Sequence, residues 1–179
     1  SDQDAELSVE LRLAEEAVEP LTLSVPAQSR AELSLDDARV PKGVPYSVAV
    51  RSTEDVPIVA ERSSEGKAGR SDVLGGRVPD KAWVAVSAGP GLDALAIYNA
   101  GDGQAEITIT PLAGDGIPLP GDPLRIEPGV RGSLRLDDKA TAKGAAVLVE
   151  STQPLVVERN SGDGAATQGG AVAVALGRR

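Results

Sequence analysis

Neither histidine nor cysteine occurs anywhere in this chain. Without histidine the commonest general base and the commonest metal ligand are both missing. Without cysteine there is no disulfide frame, no thiolate nucleophile and no thiolate metal site. Most hydrolase and metalloenzyme readings fall on those two absences, and the chain is read as non-enzymatic with no cofactor implied. Phenylalanine and methionine are absent too, and aromatics make up 2% of the residues. Any core must therefore be built from Ala, Val, Leu and Ile, which suits thin, closely packed β layers. Long apolar runs are also missing. The longest, Ala171-Val172-Ala173-Val174-Ala175-Leu176, is far short of the ~20 residues that cross a bilayer as a helix.

Charge of both signs is plentiful and scattered, with a net value of −9. An acidic surface without a basic run argues against nucleic acid or an anionic membrane as partner. A hydrophobic share of 41% is ample for packed cores. The 179 residues allow one large domain or two small ones. The abrupt opening at Ser1-Asp2-Gln3-Asp4 is read as the interior of something longer.

Strict alternation of apolar and polar residues marks half-buried strands. It predicts strands at 5–13, 21–25, 31–35 and 46–50, and a Pro-led strand at Pro57-Ile58-Val59-Ala60-Glu61-Arg62. Residues 63–80, rich in Ser, Gly and charge, read as a long loop with at most a short strand at Val73-Leu74. Strands resume at 82–86 and 95–99, separated by a turn at Gly89-Pro90-Gly91.

From residue 105 the first half repeats. Ala105-Glu106-Ile107-Thr108-Ile109 answers Ala5-Glu6-Leu7-Ser8-Val9, and Ser133-Leu134-Arg135-Leu136-Asp137-Asp138 answers Glu32-Leu33-Ser34-Leu35-Asp36-Asp37. Lys143-Gly144 answers Lys42-Gly43, and Pro154-Leu155-Val156-Val157-Glu158-Arg159 answers the first Pro-led strand. Short alternating strands with regular turn signals and no βαβ pattern predict an all-β chain of two tandem immunoglobulin-like antiparallel β-sandwich repeats. The repeats are drawn at 1–81 and 82–179, the first truncated because a counterpart of strand 95–99 would lie before Ser1. The strand at 82–86 fits either copy.

Glu61, Arg62, Glu158 and Arg159 end the two Pro-led strands. They read either as charges paired with neighbours or as a partner-binding cluster at the sandwich end. Trp83 reads either as a core residue or as a stacking platform for a sugar ring. Asp36, Asp37, Asp93, Asp102, Asp115, Asp122, Asp137, Asp138 and Asp163 read as turn carboxylates, without the spacing of a known calcium loop. Ser64-Glu65-Gly66-Lys67 fits a Ser-x-x-Lys nucleophile pattern in form only, since no helix or companion motif accompanies it. Gly101-Asp102-Gly103 and Gly162-Asp163-Gly164 read as hairpin turns.

The doubled Pro-Ile/Leu-Val-Ala/Val-Glu-Arg strand and the Ala96-Ile97-Tyr98-Asn99 strand carry a resemblance. They resemble an uncharacterised family of secreted or membrane-anchored actinobacterial proteins, in which β units repeat with Leu-x-Val-x-Asn-Pro and Pro-Val-Val-x-Glu-Arg strands. The resemblance spans about residues 5–177; here Asn99 is followed by Ala100 rather than proline. It implies an exported, envelope-associated module, and it carries over no catalytic residue. The expected function is a non-catalytic extracytoplasmic β-sandwich module, a spacer or protein-interaction region of an envelope protein. Its partner would be another envelope protein or a cell-wall component, and any membrane attachment would lie outside these residues. A binding module for cell-wall glycan or calcium is the alternative.

Overall fold

A computed structural model of the chain describes residues 1–13, 18–35, 44, 46–66, 69–86, 92–113, 117–119, 123–136, 146–162 and 167–176. Several expected turns lie outside the described residues: Asp36-Asp37, Lys42-Gly43, Gly89-Pro90-Gly91, Asp137-Asp138, Lys143-Gly144 and Asp163-Gly164. Asp115, Asp122 and Lys67 lie outside them as well. The described residues are all-β, in several antiparallel sheets, and contain no helix. Two compact units divide the chain, Ser1–Ala60 and Glu61–Arg179.

The first unit holds β1 (Ala5–Leu13), β2 (Leu21–Val25) and β3 (Tyr46–Ser52) in the sheet order β2-β1-β3. Along β1 the apolar positions Ala5, Leu7, Val9, Leu11 and Leu13 are all buried, as the period of two requires. Ala5, Leu7 and Val56 form a small core, with Leu23, Val25, Val50 and Ile58 packed against it.

The second unit runs from β4 (Glu61–Gly66) and β5 (Gly69–Leu74) through β6 (Asp80–Ala85), β7 (Leu92–Asn99) and β8 (Ala105–Pro111). It continues with β9 (Leu124–Ile126), β10 (Arg131–Arg135), β11 (Val147–Gly162), β12 (Thr167–Val172) and β13 (Val174–Ala175). Its axis is β11. Residues 147–151 of that strand lie between β6 and β8, whereas residues 155–162 lie between β7 and β12. The pairing shifts between Glu150 and Leu155, so one strand passes from one half-sheet into the other, as at the corner of a sandwich. Pro154 sits in this corner, where its missing N–H breaks no ladder bond. The buried faces of both halves meet in one core, which includes Trp83, Leu95, Ile97, Ile107, Val149, Leu155 and Val157.

The sequence repeat has a counterpart in the ladders. β1 pairs with β2 as Ala5↔Val25, Glu6↔Ser24 and Leu7↔Leu23. β8 pairs with β9 as Ala105↔Ile126, Glu106↔Arg125 and Ile107↔Leu124. On the other side, Leu7↔Ser52 and Val9↔Val50 correspond to Ile107↔Ser151 and Ile109↔Val149. Even the threonine after the third strand keeps its place: Thr53 bonds the Glu6 carbonyl and Thr152 accepts from the Glu106 amide.

Three expectations fail, two of them for one reason. Residues 31–35 and 57–60 form no strand and pair with none. Their counterparts, β10 and the Leu155 segment of β11, both pair with β7, and the described part of the first unit holds no equivalent of β7. Alternation supplies a face; a ladder also needs a partner. The third failure is the loop expected at 63–80. It contains the β4–β5 hairpin, paired from Glu61↔Leu74 to Gly66↔Gly69. Its residues are mostly polar, so no apolar period announced it.

Candidate functional site

The two Glu-Arg pairs end up in different surroundings. On β11 the residues Leu155, Val157 and Arg159 point into the core, and Val156 and Glu158 point away from it, in strict alternation. Arg159 is therefore carried inside and is fully buried. Its Nε and Nη2 donate to the two carboxylate oxygens of Asp93 at 2.7 and 2.5 Å, and its Nη1 donates to the carbonyl of Ala85 at 2.9 Å. This fork-to-fork pairing is what a buried guanidinium requires. Asp93 is buried as well, and its own carbonyl accepts from the Leu136 amide. It stands in β7, on the face shared by Leu95, Ile97 and Asn99, not in a turn.

Trp83 is 2% exposed and donates its indole N–H to the carbonyl of Asp80 at 2.9 Å. No ring can stack on it without opening the core, and a partner cannot reach Arg159 either. Of the two readings of each, the structure places Trp83 in the core and Arg159 in a buried pair with Asp93, and the partner-contact readings of Trp83 and Arg159 fall with their burial. For the calcium alternative, Asp93 is already spent on Arg159. No group of three or more carboxylates that could hold a metal ion occurs among the described residues.

Asn99 closes β7. Its Nδ2 donates to the carbonyls of Gly103 and Ile126 at 2.8 and 2.9 Å, and its Oδ1 accepts from the Gly101 amide at 3.0 Å. Its backbone joins in, with N–H to the Val130 carbonyl and C=O to the Gly129 amide. Gly129 has a φ of +71°, a conformation that suits glycine. One buried amide thus ties the turn after β7 to the turn between β9 and β10.

The remaining charges gather on the outward side of β11. Arg62, at the start of β4, places Nη2 2.5 Å from Oε1 of Glu158. The pair spans the two repeat copies: the arginine of the first meets the glutamate of the second. Glu61 is exposed, opposite Leu74. A third cation joins them. Arg131 on β10 stands opposite Tyr98 on β7, which stands opposite Val156 on β11. Burial lowers the Arg131 guanidinium from its ordinary pKa; the Glu158 carboxylate pulls it back up, and Arg62 pushes it further down. Arg131 and Tyr98 were not singled out by sequence reasoning. The one available signal was that both belong to the outward set of their strands.

No helix of the described residues is long and apolar enough to cross a membrane. No family model and no curated protein matches the chain. Among solved structures, the crystal structure of Thermotoga maritima 1070 is similar at 22% identity over 54% of this chain and 95% of that one, with a TM-score of 0.42.

Proposed function

We propose that the chain is a non-catalytic extracytoplasmic module of two tandem immunoglobulin-like repeats, serving as a protein-interaction region or spacer of an envelope protein. The observation that carries this reading is the recurrence of one three-stranded register in both units, β2-β1-β3 and β9-β8-β11. Tandem copies of a small β unit extend a chain and present faces; they do not of themselves assemble a reaction centre. The disposition of reactive side chains supports the same reading, since Asp93, Asn99, Arg159 and Trp83 are each bonded within the core. The outward charges Arg62, Glu158 and Arg131 lie outside the core, on the side open to a partner. The resemblance to exported actinobacterial proteins supplies the compartment. The full-length gene product, tagged and produced in an actinobacterial host, is expected to be cleaved by protease added to intact cells. Protection until the cells are lysed would overturn the reading.

A further inference from the structure

In the second unit β7 lies between β10 and the second half of β11 and is antiparallel to both. The segments of the first unit that answer those two neighbours, 31–35 and 57–60, have no ladder partner among the described residues. By the repeat, Leu35 holds the place of Leu136, and Ile58 and Ala60 hold those of Leu155 and Val157. Leu136, Leu155 and Val157 are fully buried, whereas Leu35, Ile58 and Ala60 keep part of their surface in water. Leu33, the counterpart of Leu134, is 37% exposed. An apolar strip is open in the first unit where β7 closes the second.

A pair of matching turns shows where a strand closing that strip would end. After β9, the Val130 amide donates to the Glu127 carbonyl, and the Gly129 amide donates to the carbonyl of Asn99, the last residue of β7. After β2, the Ser29 amide donates to the Pro26 carbonyl, and the Gln28 amide donates to the carbonyl of Ser1. Gln28 and Gly129 also share the left-handed conformation, with φ of +54° and +71°. Bond for bond, Ser1 holds the place of Asn99. We propose that the first unit is a strand acceptor, and that its occupant is the segment of the natural chain joined ahead of Ser1. That segment runs between 31–35 and 57–60, antiparallel to both, as β7 runs between β10 and β11. Its chemistry follows from β7: aliphatic side chains stand second and fourth ahead of Ser1, in the places of Ile97 and Leu95, both core residues. A tethered strand is favoured over one from another molecule, because the bond at Ser1 already sets its register and no association entropy is lost. The proposal shares its repeat register with the module reading and does not depend on the envelope location.

The test is amide hydrogen exchange on residues 1–179, alone and with Leu-Asp-Ala-Leu-Ala-Ile-Tyr, the sequence of β7 up to Tyr98, joined ahead of Ser1. A second extension, Leu-Asp-Ala-Ser-Ala-Ser-Tyr, removes the two core aliphatics. With the first extension the amides of 31–35 and 58–60 are expected to exchange about tenfold more slowly. With the second they should exchange as in the parent. Amides of β7 and β11 report that each chain is folded. The full-length gene product should show the same slowing, and it decides the matter if an extension disrupts the fold. Equal protection by both extensions, or none in a folded chain, would overturn the proposal. So would a full-length product without aliphatic residues second and fourth ahead of Ser1. Protection by the separate peptide acetyl-Leu-Asp-Ala-Leu-Ala-Ile-Tyr-amide, but not by the joined one, would mean a strand from another molecule and overturn the tethered occupant. Protease cleavage on intact cells reads location alone, so the acceptor and the envelope reading can fail separately.

Discussion

Arg159 and Asp93 pose the sharpest question at the scale of single residues, because a buried ion pair is expensive to make and more expensive to break. Arg159→Met strands the Asp93 carboxylate in the core and should cost about 3–5 kcal/mol. The double variant Asp93→Leu with Arg159→Met removes both desolvated charges and should recover most of that loss. Urea unfolding of the parent, both single variants and the double variant would measure the coupling, and additive losses would show that the pair is not the unit described. Asn99→Ala leaves two carbonyls and the Gly101 amide without their side-chain partner and should cost about 2–3 kcal/mol. Asn99→Asp should be at least as damaging, since an acceptor would then face two carbonyl oxygens. Trp83, enclosed and bonded to Asp80, should emit as a buried indole and should not respond to cell-wall glycans or Ca²⁺. A fluorescence change on titration with either would reopen the alternative that its burial disfavours.

At the scale of elements, what the sequence disclosed was the period and not the partnership. Strands β1, β2 and β8 were legible because each alternates cleanly and finds its neighbour nearby in the chain. The segment 31–35 alternates equally well and 57–60 is apolar throughout, yet neither forms a ladder, because their counterparts in the second unit depend on β7. The Pro-led strand read at 154–159 is the second half of β11, since a change of sheets at a corner leaves no trace in the alternation. The outward cluster was half legible. Arg62 and Glu158 were singled out from their repeated motif, but their pairing with each other, and the arrival of Arg131 from β10, depend on strand order. β10 itself shows a packing limit. A Cβ at Gly132 would lie 2.5 Å from Cδ1 and 3.0 Å from Cγ1 of Ile126, a core residue. Gly132→Ala should therefore destabilise by about 1–3 kcal/mol. Adding Ile126→Val, which removes the clashing Cδ1, should restore part of that loss, and thermal melts of the three variants would decide it.

Across the whole molecule the two compact units are unequal in what encloses them. The second unit contains every member of the large core, from Trp83 to Ala173, and all the ladders of β11. The bonds of Arg159 to Asp93 and Ala85, of Asn99 to Gly103 and Ile126, and of Trp83 to Asp80 also lie within residues 61–179. The first unit is a three-stranded sheet with three buried residues in its core cluster and four partly buried ones around it. Three strands with one apolar face are close to the least that stands alone in water, and a chain of about 60 residues buries too little surface for a wide margin. A fragment of residues 61–179 is accordingly expected to fold by itself and to unfold in one cooperative transition. A fragment of residues 1–60 is expected to give the poorly dispersed amide spectrum of an unfolded chain. Within the intact protein, hydrogen exchange should show β1–β3 amides opening at lower free energy than those of β7, β8 and β11. Loss of cooperative unfolding in the 61–179 fragment would mean that its core needs the first unit. Equal protection in both units would mean that they open together. Either result would tie the outward charges of β11 to the first repeat, because the face that presents Arg131 and Glu158 would then depend on it for its order.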